Sequence, residues 1–193
     1  MARSRSRKVL ATVATVGVLG SLAGYAAFSA FSSSTTNPGN SVSTGTVVIS
    51  DNDAGAALYN LANQAPNNSV QRCIRVSYTG SLPADVKMYL SGTVGSLAPY
   101  VNLTVEKGTQ SSPSFPSCTG FTPQSTVYTG TLQNFASSYS GWSNGLAVYP
   151  GSQTQWNPSD ELVFRVTVSV QDDNNAQGLT TGSHSFVWEA RNN

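Results

Sequence analysis

His184 is the single histidine of this 193-residue chain. Histidine is the side chain most often used for acid–base or metal chemistry near neutral pH. No His-Glu-x-x-His zinc motif is present, and no serine lies in a Gly-x-Ser-x-Gly turn. A Ser-His-Asp triad would have to use His184, and nothing in the sequence supports one. We therefore interpret His184 as a surface residue and predict no catalytic residue, no bound metal and no cofactor.

Two acidic clusters supply oxygen ligands of the kind that calcium takes. Asp51 and Asp53 flank an asparagine after one predicted strand, and Asp172 and Asp173 precede two asparagines after another. Neither cluster has the spacing of an EF-hand loop, and Asp and Asn also favour turns through their own side-chain hydrogen bonds. We interpret both clusters as turns, with calcium binding as the less favoured alternative.

Three aromatic residues, Trp142, Tyr149 and Trp156, lie in a segment rich in Gly, Ser and Pro. Exposed aromatic rings of this kind can line a sugar-binding surface. Aromatic residues in such a segment more often close one end of a β-sandwich, because they bury a large apolar area. We favour the second interpretation and retain carbohydrate or surface binding as an alternative function.

The first thirty residues predict the compartment in which the protein works. A basic start precedes an apolar run from Val9 to about Gly24, and the run ends in small residues around Ala26. These are the three parts of a secretory signal peptide, with cleavage expected between Ala26 and Ala27 by a signal peptidase. A retained membrane anchor is the alternative, but the threonines, serines and small residues of the run weaken it. We expect no stable membrane insertion after cleavage.

Cleavage at that point leaves 167 residues, enough for one domain with a hydrophobic core. The signal holds four cations, so the mature chain keeps six Lys and Arg against nine Asp and Glu, a formal charge of −3. This balance excludes the basic surface that nucleic-acid binding requires. Export also makes a disulfide the expected state of Cys73 and Cys118, the only two cysteines, with buried free thiols as the alternative.

Short segments of alternating apolar and polar residues, separated by Gly, Pro, Asn and Asp, predict an all-β fold. The predicted strands cover residues 46–50, 70–78, 86–90, 101–105, 162–170 and 185–190. One short helix is predicted near residues 132–139, where apolar side chains recur at helical spacing. We expect a signal peptide at 1–26, a flexible arm at 27–45, and an antiparallel β-sandwich at 46–193.

The order of several segments resembles the TasA/camelysin family of exported bacterial proteins. The first block is the signal end Gly24-Tyr25-Ala26-Ala27-Phe28-Ser29, followed by an arm rich in Asn and Thr and by Thr44-Gly45-Thr46-Val47-Val48-Ile49-Ser50. The second runs from Leu58-Tyr59-Asn60-Leu61 through Ala65-Pro66-Asn67-Asn68-Ser69-Val70 to Ile74-Arg75-Val76-Ser77-Tyr78-Thr79-Gly80-Ser81-Leu82-Pro83-Ala84. The third comprises residues 162–170, Gln171-Asp172-Asp173-Asn174, Gly178-Leu179 and Phe186-Val187-Trp188-Glu189-Ala190. Residues 108–157 match the family less well.

The resemblance implies a jelly-roll β-sandwich, a signal cut by a dedicated SipW-type peptidase before Ala27-Phe28, and self-association into extracellular fibres. In such fibres the mature N-terminal arm of one subunit completes a sheet of the next. Camelysin members are also described as cell-surface metallopeptidases, but this sequence lacks the zinc ligands that such an enzyme requires. The cysteines and tryptophans of the middle segment depart from the best-known biofilm member, so partners cannot be transferred from it.

The arm has physical properties that suit strand donation. Phe28 and Phe31 are its large apolar groups, within a segment otherwise too polar to build its own core. An extended peptide can pair with an open sheet edge, and a head-to-tail contact of this kind grows into a filament. We predict an exported structural protein of the cell surface or biofilm matrix that self-associates into fibres and contacts cell-wall or matrix components. A metallopeptidase and a carbohydrate-binding sandwich are the alternatives.

Overall fold

The computed structural model describes residues 43–192, and they form two antiparallel sheets with one short α-helix. The predicted cleavage point at Ala26 and Ala27, and Phe28 and Phe31 of the arm, lie outside the described residues. The strands are β1 (Ile49–Asp51), β2 (Ser69–Tyr78), β3 (Asp85–Gly92), β4 (Val101–Gln110), β5 (Phe121–Thr131), β6 (Leu146–Ala147), β7 (Glu161–Val170) and β8 (His184–Arg191). The helix α1 spans Leu132–Ser138.

The two sheets have the strand orders β1-β2-β7-β4-β5 and β6-β3-β8. Apolar residues of both sheets form one shared core, in which the rings of Phe164 on β7 and Trp188 on β8 lie 5.3 Å apart. The predicted all-β sandwich is therefore confirmed. No helix within residues 43–192 is long and apolar enough to cross a membrane.

The pairings β4–β5, β3–β6 and β2–β7 are nested within one another along the chain. A jelly roll is built from eight strands whose pairings nest in this way. Its outermost pair would join the first strand to the last. Here β1 pairs with β2 instead, and β8 pairs with β3. The described residues thus form a jelly roll in which the outermost pair is not made.

Alternation along β2 and β7 determines which side chains enter the core. Ile74, Val76 and Tyr78 of β2 are buried, as are Leu162, Phe164, Val166 and Val168 of β7. The outward-facing Cys73 is also buried, because the connection between β4 and β5 folds over it and forms the predicted disulfide through Cys118. The carbonyl of Pro116 in this connection accepts a hydrogen bond from the Cys73 amide at 3.1 Å.

The predicted helix is also present. Thr131 caps its first turn, because the Thr131 hydroxyl accepts a hydrogen bond from the Asn134 amide. Leu132 and Phe135 are fully buried on the core side of the helix. The Phe135 ring lies 5.7 Å from the Phe186 ring, so the helix packs against β8.

Candidate functional site

The sheet edges of the described domain differ in their capacity to accept another strand. β1 has three residues and β6 has two, so each offers little backbone. β5 is longer, but it contains Pro123 and its pairing with β4 is interrupted by two register shifts. β8 pairs with β3 over eight consecutive residues without a bulge. Proline, bulges and short length protect sheet edges from strand addition, and β8 has none of these features.

The backbone groups that β8 presents at its outer edge follow from the pairing of β3. Val86 and Leu90 direct their backbone groups away from β8, towards Val148 and Tyr139. The intervening residues of β3 therefore bond to β8, since backbone groups alternate sides along an antiparallel strand. Their partners on β8 are Ser185, Val187, Glu189 and Arg191. The remaining residues, His184, Phe186, Trp188 and Ala190, face the outer edge, where no strand of residues 43–192 pairs with them.

A groove of about 1100 Å³ opens beside this edge of β8. Its floor is apolar and includes Ile74, Val168, Phe186 and Trp188. A second cleft of about 200 Å³ separates β1 from β8 and is lined by Ile49, Val76 and Trp188. The indole Nε1 of Trp188 is buried and has no hydrogen-bond partner in the part of the chain that the structure describes. An unpaired buried donor is costly, so an acceptor entering here would gain a hydrogen bond.

The outer wall of the groove is an irregular segment, residues 54–64, which we call the strap. Leu58, Tyr59 and Leu61 of the strap pack against the core. The Tyr59 hydroxyl lies 2.6 Å from Nε2 of His184, the first residue of β8. The Tyr59 ring also lies 6.2 Å from the Phe186 ring. The sequence indicated a surface role for His184, whereas the structure half-buries it in this aromatic cluster.

Burial keeps the Tyr59–His184 pair uncharged. Loss of hydration raises the pKa of the Tyr59 hydroxyl, because the phenolate form is disfavoured. The same effect lowers the pKa of His184 below 6.5, and a backbone contact with Gly182 raises it by a smaller amount. Near neutral pH the pair is therefore a hydrogen bond between two neutral groups.

Carboxylates of the two acidic clusters accept hydrogen bonds from nearby backbone amides. Asp51 and Asp53 accept hydrogen bonds from backbone amides two residues further on, at 3.1 and 2.6 Å. Asp173 accepts from the Asn175 amide at 2.8 Å, and Asp172 is exposed. Among residues 43–192, no group of three or more His, Cys, Asp or Glu side chains is arranged to hold a metal ion. The turn interpretation accounts for the observed contacts.

The three aromatic residues of the middle segment do not share one exposed surface. Trp156 is fully buried, and its indole N–H donates to the Val148 carbonyl at 2.7 Å. Tyr149 is half-buried and donates to Asp85. Trp142 packs between Lys87 and Arg191, whose charged groups lie 4.9 and 4.6 Å from its ring. The closure role fits Trp156, because it fills the core beside β3.

Comparison with protein-family models finds no match for the chain. Comparison with curated proteins finds none either. The resemblance to the TasA/camelysin family therefore stays a prediction.

Sequence reasoning located some parts of the groove and missed others. Alternation along the last strand correctly placed Phe186 and Trp188 on one face. It gave no role to Tyr59, because the strap has no period from which a burial pattern can be inferred. The available signal was a pair of leucines flanking Tyr59-Asn60 within a segment rich in alanine. The open edge of β8 depends on strand order, which hydrophobic patterning does not determine.

Proposed function

We propose that this protein is an exported structural subunit of the cell surface or biofilm matrix that polymerises by N-terminal strand donation. The observation that carries the proposal is the regular outer edge of β8, which lies beside a groove with apolar residues on its floor, where a jelly roll would have its first strand. The proposed occupant is the arm of a second copy, residues 27–43. Its backbone would pair with β8, and its side chains would enter the groove.

The composition of the arm defines the donated segment. Residues 27–37 contain no proline or glycine, whereas Pro38 and Gly39 follow directly. Proline lacks the N–H needed for a sheet ladder, so we expect the donated strand to end before Pro38. Eleven residues extend over about 36 Å, which exceeds the length of eight-residue β8. Residues 38–43 would then link the donated strand to its own domain.

Strand direction favours a second copy over the protein's own arm. Thr46 is tied by its backbone to Ser81 and Leu82, at the turn between β2 and β3. The Arg191 end of β8 lies beside Asp85, just past this turn. An arm that leads into Thr46 without a reversal in residues 38–43 and lies along its own β8 would therefore run parallel to it. Every strand pairing in the domain is antiparallel, and an arm from another subunit can adopt that direction.

The alternation of side chains refines the predicted role of the two phenylalanines. Phe28 and Phe31 are three residues apart, so in an unbroken strand they point to opposite faces. Only one ring can then enter the groove of the neighbour. Burial of that ring would contribute roughly 1.5–3 kcal/mol, and the other ring would lie on the outer face. We therefore expect single Ala substitutions at these two positions to affect assembly unequally.

The decisive experiment compares the mature chain with a variant that lacks residues 27–43. The core begins at Val47, so the shortened chain should keep its fold and its melting transition. Negative-stain microscopy over time should show filaments of the mature chain and only monomers of the variant. Filaments of the variant that grow at the wild-type rate would rule out strand donation.

A further inference from the structure

The strap lines the groove beside the part of β8 that a donated strand would use. His184 and Phe186 present their backbone groups at the open edge of β8, and the Tyr59 ring lies against both, with ring centres 5.7 and 6.2 Å away. Tyr59 therefore lines the groove next to these residues, and side chains of a donated strand that entered the groove there would meet its ring.

The strap is attached in a way that allows it to leave. No backbone hydrogen bond joins residues 54–64 to a strand anywhere in residues 43–192; the bonds made by its backbone are local. Its attachments are the packed side chains of Leu58, Tyr59 and Leu61 and the Tyr59–His184 hydrogen bond. Its displacement therefore breaks no strand pairing, and its cost is the exposure of these partly buried side chains and the loss of one hydrogen bond.

Both ends of the strap have backbone conformations that suit a hinge. Ala54 and Asn63 have φ values of 53° and 54°, in the left-handed region that costs a non-glycine residue conformational energy. Gly55, next to Ala54, has φ 80°. Displacement of the strap would release Ala54 and Asn63 from these conformations.

We propose that the strap is an autoinhibitory gate, latched by Tyr59 and His184, that must be displaced before the arm of another subunit can enter the groove. This inference rests on the proposed function, since it assigns a regulator to the same groove. Assembly would then be slow to start, because each acceptor must first open. Once a strand has entered, the strap is held out by occupancy of the groove.

The test uses the mature chain, a synthetic peptide of residues 27–43, and two matched substitutions. Tyr59→Phe removes the latch hydroxyl and keeps the ring. Tyr128→Phe is the control, because its hydroxyl also makes one part-buried hydrogen bond, to the Thr131 carbonyl at 2.7 Å, but does not line the groove. Both variants should lose similar stability. Only Tyr59→Phe should bind the peptide more tightly, by roughly two- to tenfold, the range of one net hydrogen bond.

Hydrogen exchange gives a second readout. Addition of the peptide should protect the amides of His184, Phe186 and Trp188, and NMR contacts of the Tyr59 ring with the rings of His184 and Phe186 should be lost. If the peptide protects β8 while these ring contacts persist, or if the two variants bind the peptide equally, the gate is ruled out and strand donation survives. If the peptide does not bind and the mature chain forms no filaments, the proposed function fails and the gate fails with it.

Discussion

Cys73 occupies an unusual place, since it is buried to 1% exposure on the outer face of a sheet. The disulfide to Cys118 holds the β4–β5 connection over it and closes a loop with a sequence separation of 45 residues. In the chain-entropy account a loop of this length stabilises the fold by about 4 kcal/mol. The double substitution Cys73→Ser and Cys118→Ser should therefore lower the free energy of unfolding by about 4 kcal/mol. Urea unfolding should show this loss as a lower midpoint.

Reduction of the wild-type protein should produce the same loss of stability as the double substitution. Thiol titration of the denatured, non-reduced chain should find no free thiol. Two free thiols per chain, or a midpoint that does not change on reduction, would contradict the assignment.

His184 should make stability depend on pH between neutral and mildly acidic conditions. Its folded pKa lies below the unfolded value of 6.5, because burial disfavours the charged ring. Below pH 6.5 the unfolded chain takes up this proton before the folded chain does, so the free energy of unfolding falls as the pH decreases. Well above pH 6.5 His184 is neutral in both states, and the free energy of unfolding no longer depends on its protonation.

Chemical unfolding at about pH 7.5 and about pH 5.5 measures this effect before most carboxylates titrate. His184→Gln should show a flatter profile over the same range. The two pH slopes should differ by the equivalent of less than one bound proton, since the His184 ring is only half-buried and solvent screens its charge. A wild-type profile as flat as that of the variant would show that His184 is not responsible.

At the scale of elements, the long strands that sequence analysis predicted have a buried face, whereas the strand predicted at 46–50 is the short, partly exposed β1 at Ile49–Asp51. β7 and β2 alternate clearly and lie at the centre of the large sheet. β5 was missed because most of its residues are exposed and polar, and it includes a proline and a glycine. β6 was missed because it has two residues, too few to show an alternating pattern. β5 and β6 lack an alternating buried face and are positioned by their neighbours, so local pattern does not reveal them.

The outer edge of β8 can be tested with one substitution. Ala190 faces that edge with its N–H, because its partner Val86 directs its own backbone groups to the other side. Ala190→Pro would remove one of the four outward donors and place a ring where a donated strand must lie. We expect elongation to slow by about tenfold or more, with only a small change in melting temperature.

Val187→Pro is the contrasting variant. The Val187 N–H belongs to the β3–β8 ladder, so its loss should destabilise the sandwich itself. Filament growth of folded Ala190→Pro at the wild-type rate would show that another edge accepts the strand.

For the whole molecule, strand donation makes the two ends of each subunit different. In the proposed assembly each subunit donates its arm and accepts another arm in its β8 groove, so the contact is heterologous and every subunit extends the filament. A chain without residues 27–43 keeps the groove but has no arm. It can accept one neighbour and cannot donate to another, so it should act as a chain stopper.

Mixing this shortened chain with the mature protein should shorten filaments in proportion to its fraction. The physical reason is that each incorporated stopper ends growth in one direction while its fold and surface remain intact. The matched control is the shortened chain that also carries Ala190→Pro, which cannot donate, accepts about tenfold more slowly or worse, and should shorten filaments far less. Length distributions from negative-stain images provide the measurement. If filaments were held by side-to-side contacts, both shortened chains would enter the fibre equally and neither would reduce its length.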